Sequence, residues 1–148
     1  MPIKDYPLTQ VAAGLARPMV WIRLFNPATK RAVIALALVD TGADDCVFPA
    51  KVAIQLGYKP KAVISQRIKT ASGTVRVGIH KYRPRVDILE MRPDGMPGQK
   101  VLHTIRNTPI NFITRCEDFL LGTRNFLSAF VVTINYPGQV FSIRKPKK

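Results

Sequence analysis

Eight consecutive apolar residues, 32 to 39, run without a break into the acid Asp40. No other feature of the 148-residue chain narrows its fold as much. A membrane span needs roughly 20 apolar residues, so this run reads as a buried strand. The segment ahead of it, Val20-Trp21-Ile22-Arg23-Leu24-Phe25, is rich in β-formers. Asn26-Pro27-Ala28-Thr29-Lys30 separates the two with turn chemistry. The pattern predicts a hairpin whose second strand is buried and ends on a carboxylate.

The rest of the chain continues in short β-segments. Residues 49–56 fit a short helix that Gly57 would stop. Residues 67–79 alternate around Ser72-Gly73, a hairpin signal. Val86-Asp87-Ile88-Leu89 reads as a strand. Residues 92–100 hold two prolines and two glycines and are expected as a loop or wide turn. Short strands follow at 101–105, 110–113 and 119–122, then a short helix at 124–129. A closing hairpin at 130–143 turns at Tyr136-Pro137-Gly138-Gln139. Strands with turn signals about every ten residues predict a single all-β domain.

Composition excludes several classes of function. Cys46 and Cys116 form no disulfide framework and have no zinc-ligand spacing. Neither His80 nor His103 stands beside a carboxylate or cysteine in sequence. No metal site, cofactor or His-dependent triad is therefore expected. The N-terminus carries no apolar signal block, so a cytoplasmic protein without membrane association is expected. The net charge is +14, from 23 Lys+Arg against 9 Asp+Glu. Such a surface attracts anions. The basic residues are spread along the chain, however, with one dense group at Arg144-Lys145-Pro146-Lys147-Lys148. A solvated basic face is expected rather than a nucleic-acid site.

The acids carry the chemistry. Three of the nine fall between Asp40 and Asp45, directly after the most apolar strand. A carboxylate at the end of a buried strand is costly to desolvate unless it is hydrogen-bonded or paired. Thr41 offers a hydroxyl, and Gly42 lets the backbone turn sharply. Asp40 is thus delivered into a cleft from which the chain bends away.

Ala37-Leu38-Val39-Asp40-Thr41-Gly42-Ala43-Asp44-Asp45-Cys46-Val47-Phe48 resembles the active-site segment of the retroviral proteases, or retropepsins (clan AA). Leu120-Leu121-Gly122-Thr123-Arg124-Asn125-Phe126-Leu127 resembles their second signature. A glycine-tipped hairpin lies between the two, where that family has its flap. The closing hairpin is similar to that of small bacterial members. The resemblance implies an all-β acid-protease barrel with one or two short helices and a flap, active as a two-fold homodimer. Its domain would span residues 20–143, after an N-terminal extension at 1–19 and before a basic tail at 144–148.

The resemblance also implies roles. Asp40 would be the catalytic carboxylate of an aspartic endopeptidase acting on protein or peptide substrates. Thr41 would lock two active-site loops across the dimer axis, and Gly42 would meet the substrate backbone. Ala43 would lie in the same binding segment. Asp44 and Asp45 would hold the ends of the bound peptide. Ser72 and Gly73 would form the flap tip. Asp44 and Asp45 could equally cap their own turn, and Gly73 could serve only its hairpin. The family's arginine commonly pairs with the acid that here is Asp44, and the extra Thr123 could shift Arg124 off that partner. The chain has a single apolar-apolar-Asp-Thr-Gly segment, and Asp87 and Asp118 lack a following glycine. A dyad therefore requires Asp40 from a second subunit. Two other readings are an inactive binding or dimerisation module on this fold and a basic nucleic-acid-associated protein.

Overall fold

The computed structural model describes residues 3–59 and 64–148; Met1 and Pro2 of the N-terminal reading lie outside them. The chain opens with β1 (Ile3–Pro7), β2 (Thr9–Ala12) and β3 (Leu15–Arg17). Then comes the expected hairpin, β4 (Met19–Asn26) and β5 (Arg31–Val39), paired along its length from Met19↔Leu38 to Asn26↔Arg31. β6 (Val47–Pro49) runs straight into the short helix α1 (Ala50–Gln55), which ends at Gly57 with φ +80°. β7 (Ile64–Thr70) and β8 (Gly73–Tyr82) form a second hairpin. β9 (Arg85–Met91), β10 (Pro97–Ile105), β11 (Ile110–Ile113) and β12 (Leu120–Leu121) follow. A 3-10 turn at Leu127–Ala129 leads to β13 (Val131–Asn135) and β14 (Val140–Arg144). The fold is all-β and retropepsin-like, as expected.

Nine strands make the main sheet, in the order β10-β9-β4-β5-β12-β6-β11-β8-β7. Its centre positions Asp40. The two-residue β12 is wedged parallel to β5 and antiparallel to β6. Alternation on β4 sends Val20, Ile22 and Leu24 into the core, where they meet Ala37, Val39, Phe48, Val86, Ile88 and Phe112. A smaller sheet, β1-β14-β13, closes one side. Residues 3–8 belong to this packing. Ile3 pairs with Ile143 and Tyr6 with Phe141, and Ile3, Tyr6 and Leu8 are buried. The Tyr6 hydroxyl donates to the Leu89 carbonyl (2.9 Å) and accepts from the Trp21 amide (3.0 Å). Burial pushes the pKa of that phenol up to about 12.

Asp87, which the sequence offered no chemical role, is the buried charge of the barrel wall. Arg23 Nη2 reaches its Oδ2 at 2.7 Å and Arg85 Nη2 at 3.3 Å, and Thr104 Oγ1 donates to Oδ1 at 2.9 Å. Burial opposes its ionisation. The hydrogen bonds from Arg23 and Thr104 and the charges of Arg85 and Arg23 outweigh burial and hold the carboxyl below its ordinary value.

The structure departs from expectation in four places. Only the Asp40 end of the apolar run is well buried: Ala37 and Val39 are inside, while Ile34 is 51% exposed. On its side away from β4, β5 is paired only at Leu38 and Val39, by β12. The second hairpin turns at Ala71-Ser72, because Thr70 pairs with Gly73. The expected loop at 92–100 closes earlier, since the Arg92 amide bonds Met96 O and the Gly95 amide bonds Arg92 O. Pro97 and Gly98 then begin β10, a sheet edge where a missing N–H does little harm. Finally, the expected helix at 124–129 shrinks to the 3-10 turn, because Phe126 sits at φ −147°, outside helical geometry.

Candidate active site

β5 carries Asp40 to the middle of the sheet, and its neighbours hold the backbone there. The Leu38 amide bonds Phe119 O (2.8 Å), the Val39 amide bonds Pro18 O (2.9 Å) and the Asp40 amide bonds Leu121 O (3.0 Å). Past this point the chain turns on itself. The Gly42 amide donates to Asp40 Oδ1 at 2.9 Å, and the Ala43 amide donates to Asp40 O at 3.2 Å. One carboxylate oxygen is therefore oriented by the chain's own turn. Asp40 is half-buried at the surface of the single chain. No Lys or Arg lies in ion-pair contact with it among the described residues.

The second signature folds back onto the first. Gly122 lies against the turn so closely that an added Cβ would stand 2.2 Å from the Asp45 carbonyl oxygen. The next two amides lock the same contact, Thr123 to Ala43 O (2.8 Å) and Arg124 to Asp44 O (2.7 Å). The Thr123 hydroxyl donates to Thr41 O at 3.3 Å. Arg124 Nε pairs with Asp45 Oδ1 at 3.1 Å, so the inserted Thr123 is accompanied by a partner one residue along from Asp44. Behind the turn, Cys46 is fully buried, and burial pushes its thiol up to about 11. A thiol this hard to ionise is structural.

Thr41, Gly42, Ala43, Asp44 and Asp45 thus form one continuous turn around Asp40. Ser72 and Gly73 lie at the tip of the β7–β8 hairpin. One face of that hairpin is apolar. Val77 and Ile79 cluster with Ile113, joined by Ile68, Val75, Val47 and Cys116. A recess of about 360 Å³ opens there, with Val47, Ile68, Val77 and Leu120 in its wall. A second recess, about 230 Å³, lies on the other side of β12 and is lined by Met19, Leu36, Leu38 and Leu120. Glu117 and Asp118 border both. Lys51 pairs with Glu117 at 2.8 Å.

A mainly apolar recess and a mixed one that also holds Arg17 flank Leu120, with a carboxylate at the end of the adjoining strand, and together they can hold an extended peptide beside an acid. Sequence reasoning named the acid and its turn but missed Val47, Val77, Leu38 and Leu120 as recess walls. Leu38 and Leu120 lay inside the two quoted signatures; only the pairing of β12 with β5 reveals that they face one groove. Among the described residues, no three His, Cys, Asp or Glu side chains converge where a metal ion could sit. No helix among them is long and apolar enough to cross a membrane.

A search of curated proteins gives no match. The family model described as gag-polyprotein putative aspartyl protease matches residues 33–128, from β5 through the 3-10 turn. That span takes in Asp40, its turn, the β7–β8 hairpin and Gly122, and the chain belongs to this aspartyl protease family.

Proposed function

We propose that the chain is an aspartic endopeptidase whose active site is completed when two copies pair about a two-fold axis. The observation that carries this reading is the Asp40 carboxylate, half-open at the end of β5 with one oxygen held by the Gly42 amide. One chain supplies one such acid, and peptide hydrolysis by this chemistry takes two. In the pair, like charges in contact do not both ionise, so a single proton is shared. The ionised carboxylate takes a proton from a bound water as that water attacks the peptide carbonyl. The protonated partner donates to the carbonyl oxygen, which gives a tetrahedral diol. Proton transfer to the amide nitrogen then lets the C–N bond break.

The two recesses beside Leu120 would receive apolar side chains on either side of the scissile bond, and the β7–β8 hairpin would close over the peptide. Thr41 would face its counterpart across the axis. The test is Asp40→Asn, assayed on unstructured peptides at mildly acid pH, with a pepstatin-type inhibitor on the parent protein. Loss of cleavage in the variant and inhibition of the parent are expected. Cleavage that survives Asp40→Asn unchanged would sink the proposal.

A further inference from the structure

Basic residues that stand apart in the sequence meet in space at the turn end of the β4–β5 hairpin. Phe25 there pairs with Ala32, eight residues before Asp40, so about 25 Å of extended strand separates this end from the acid. Two recesses adjoin one another, of about 380 Å³ and about 480 Å³, and they share Pro27 and Arg83 in their walls. The first adds Phe25, Arg85 and Arg106; the second adds Lys59 and Lys81. Among the described residues, no acid lines either one.

The cations are held in place, and among the described residues only Arg85 has a carboxylate partner. The Arg85 guanidinium rests 4.4 Å from the centre of the Phe25 ring, and its Nη2 leans on Asp87, which Arg23 already engages more closely. Its Nε is buried with no hydrogen-bond partner among the described residues. Arg83 Nη1 is anchored on the Asn107 carbonyl at 2.7 Å, a contact that orients the group but leaves its charge uncompensated. Arg83, Arg106, Lys59 and Lys81 have no carboxylate in ion-pair range among the described residues. Five cations along one concave strip repel one another unless an anion lies between them.

We infer that this groove binds the phosphodiester backbone of a single-stranded nucleic acid, at a site separate from Asp40. Guanidinium forks match phosphate oxygens. Two adjoining recesses suit a chain of phosphates better than one small anion. Their apolar walls, Pro27 and the half-buried Tyr58, offer surface for unpaired bases, which a duplex keeps inside its stack. The sequence pointed away from such a site because its basic residues come from three separate stretches of chain.

The experiment is fluorescence anisotropy of a labelled oligothymidylate of about 12 nucleotides, titrated with the full chain over a range of salt. Arg83→Gln/Arg106→Gln should weaken binding about tenfold near physiological salt and lower the slope of log affinity against log salt by about 1.4, at 0.7 per lost phosphate contact. Arg83→Lys/Arg106→Lys should recover most of that loss. Lys147→Gln/Lys148→Gln removes the same charge from the tail and should change affinity less than about twofold. Asp40→Asn should bind as the parent does. Equal loss in the groove and tail variants would overturn the inference, as would absence of binding near physiological salt. Displacement by equimolar inorganic tripolyphosphate at matched ionic strength would overturn it in favour of a small phosphate ligand. Stronger competition by a duplex of the same length would overturn the preference for a single strand.

Discussion

At Gly122 a single hydrogen atom stands where any other side chain would meet the Asp45 carbonyl. Gly122→Ala should therefore push β12 off the turn around Asp40. It is expected to destabilise the chain by about 3 kcal/mol, read from the urea midpoint, and, on the proposed function, to abolish peptide cleavage. The glycine itself was visible in the second signature, but its contact was not, since that contact exists only because β12 inserts between β5 and β6. Tyr6 goes unmarked in the sequence because nothing local distinguishes it. Its hydroxyl bridges two backbone groups far apart in the chain, so Tyr6→Phe should cost about 1–3 kcal/mol by thermal melting. Asp87 gives a pH signature. Its folded pKa lies below the ordinary 3.8, so its ion pairs stabilise the fold above that value, and the contribution disappears as pH falls through the folded pKa. Asp87→Ala should cost about 2–4 kcal/mol near neutrality by leaving two guanidinium groups unmatched. The gap between parent and variant should narrow in unfolding titrations below about pH 4.

Strands were legible wherever alternation or an apolar run marked them, as in β4, β5 and β9. The misreadings came where a distant segment sets the local geometry. β12 pairs with only the last two residues of the apolar run, which no window along the run itself could reveal. The helix expected at 124–129 gives way at Phe126, whose backbone leaves helical geometry at φ −147°. The β7–β8 hairpin lies one residue away from its expected register, which moves Gly73 from the turn to the first strand position after it. Gly73 has φ +126°, and nothing lies within 4 Å of an added Cβ, so the penalty for a side chain is one of backbone strain alone. Gly73→Ala is thus expected to cost about 1 kcal/mol locally. On the proposed function it should lower kcat/KM for peptides with little change in the global melt, a contrast that steady-state kinetics and calorimetry on one sample would reveal.

Across the main sheet, acids gather at one end of β5, among some bases, while the charged side chains lining the other end are all bases among the described residues. Asp40, Asp44 and Asp45 sit at one end of β5, with Asp118 beside the groove, while the arginines around Pro27 crowd the other. The total of +14 could be counted from the sequence, but this sorting could not, because it arises from how the strands are laid side by side. Two such chains repel, so on the proposed dimer, sedimentation should show a larger paired fraction at about 0.5 M salt than at about 0.05 M. A sedimentation pattern independent of salt would argue that charge plays no part in pairing. The pairing of β1 with β14 has a consequence for how the molecule is made. Ile3 and Tyr6 are made well before Ile143 and Phe141, their partners across the β1–β14 seam, which come nearly 140 positions later. Until then the Ile3/Tyr6 face of β1 waits without its partner, exposed to chaperones and to neighbouring nascent chains. Closure over such a separation is slow, so the β1–β14 seam is expected to form late in the folding of this domain.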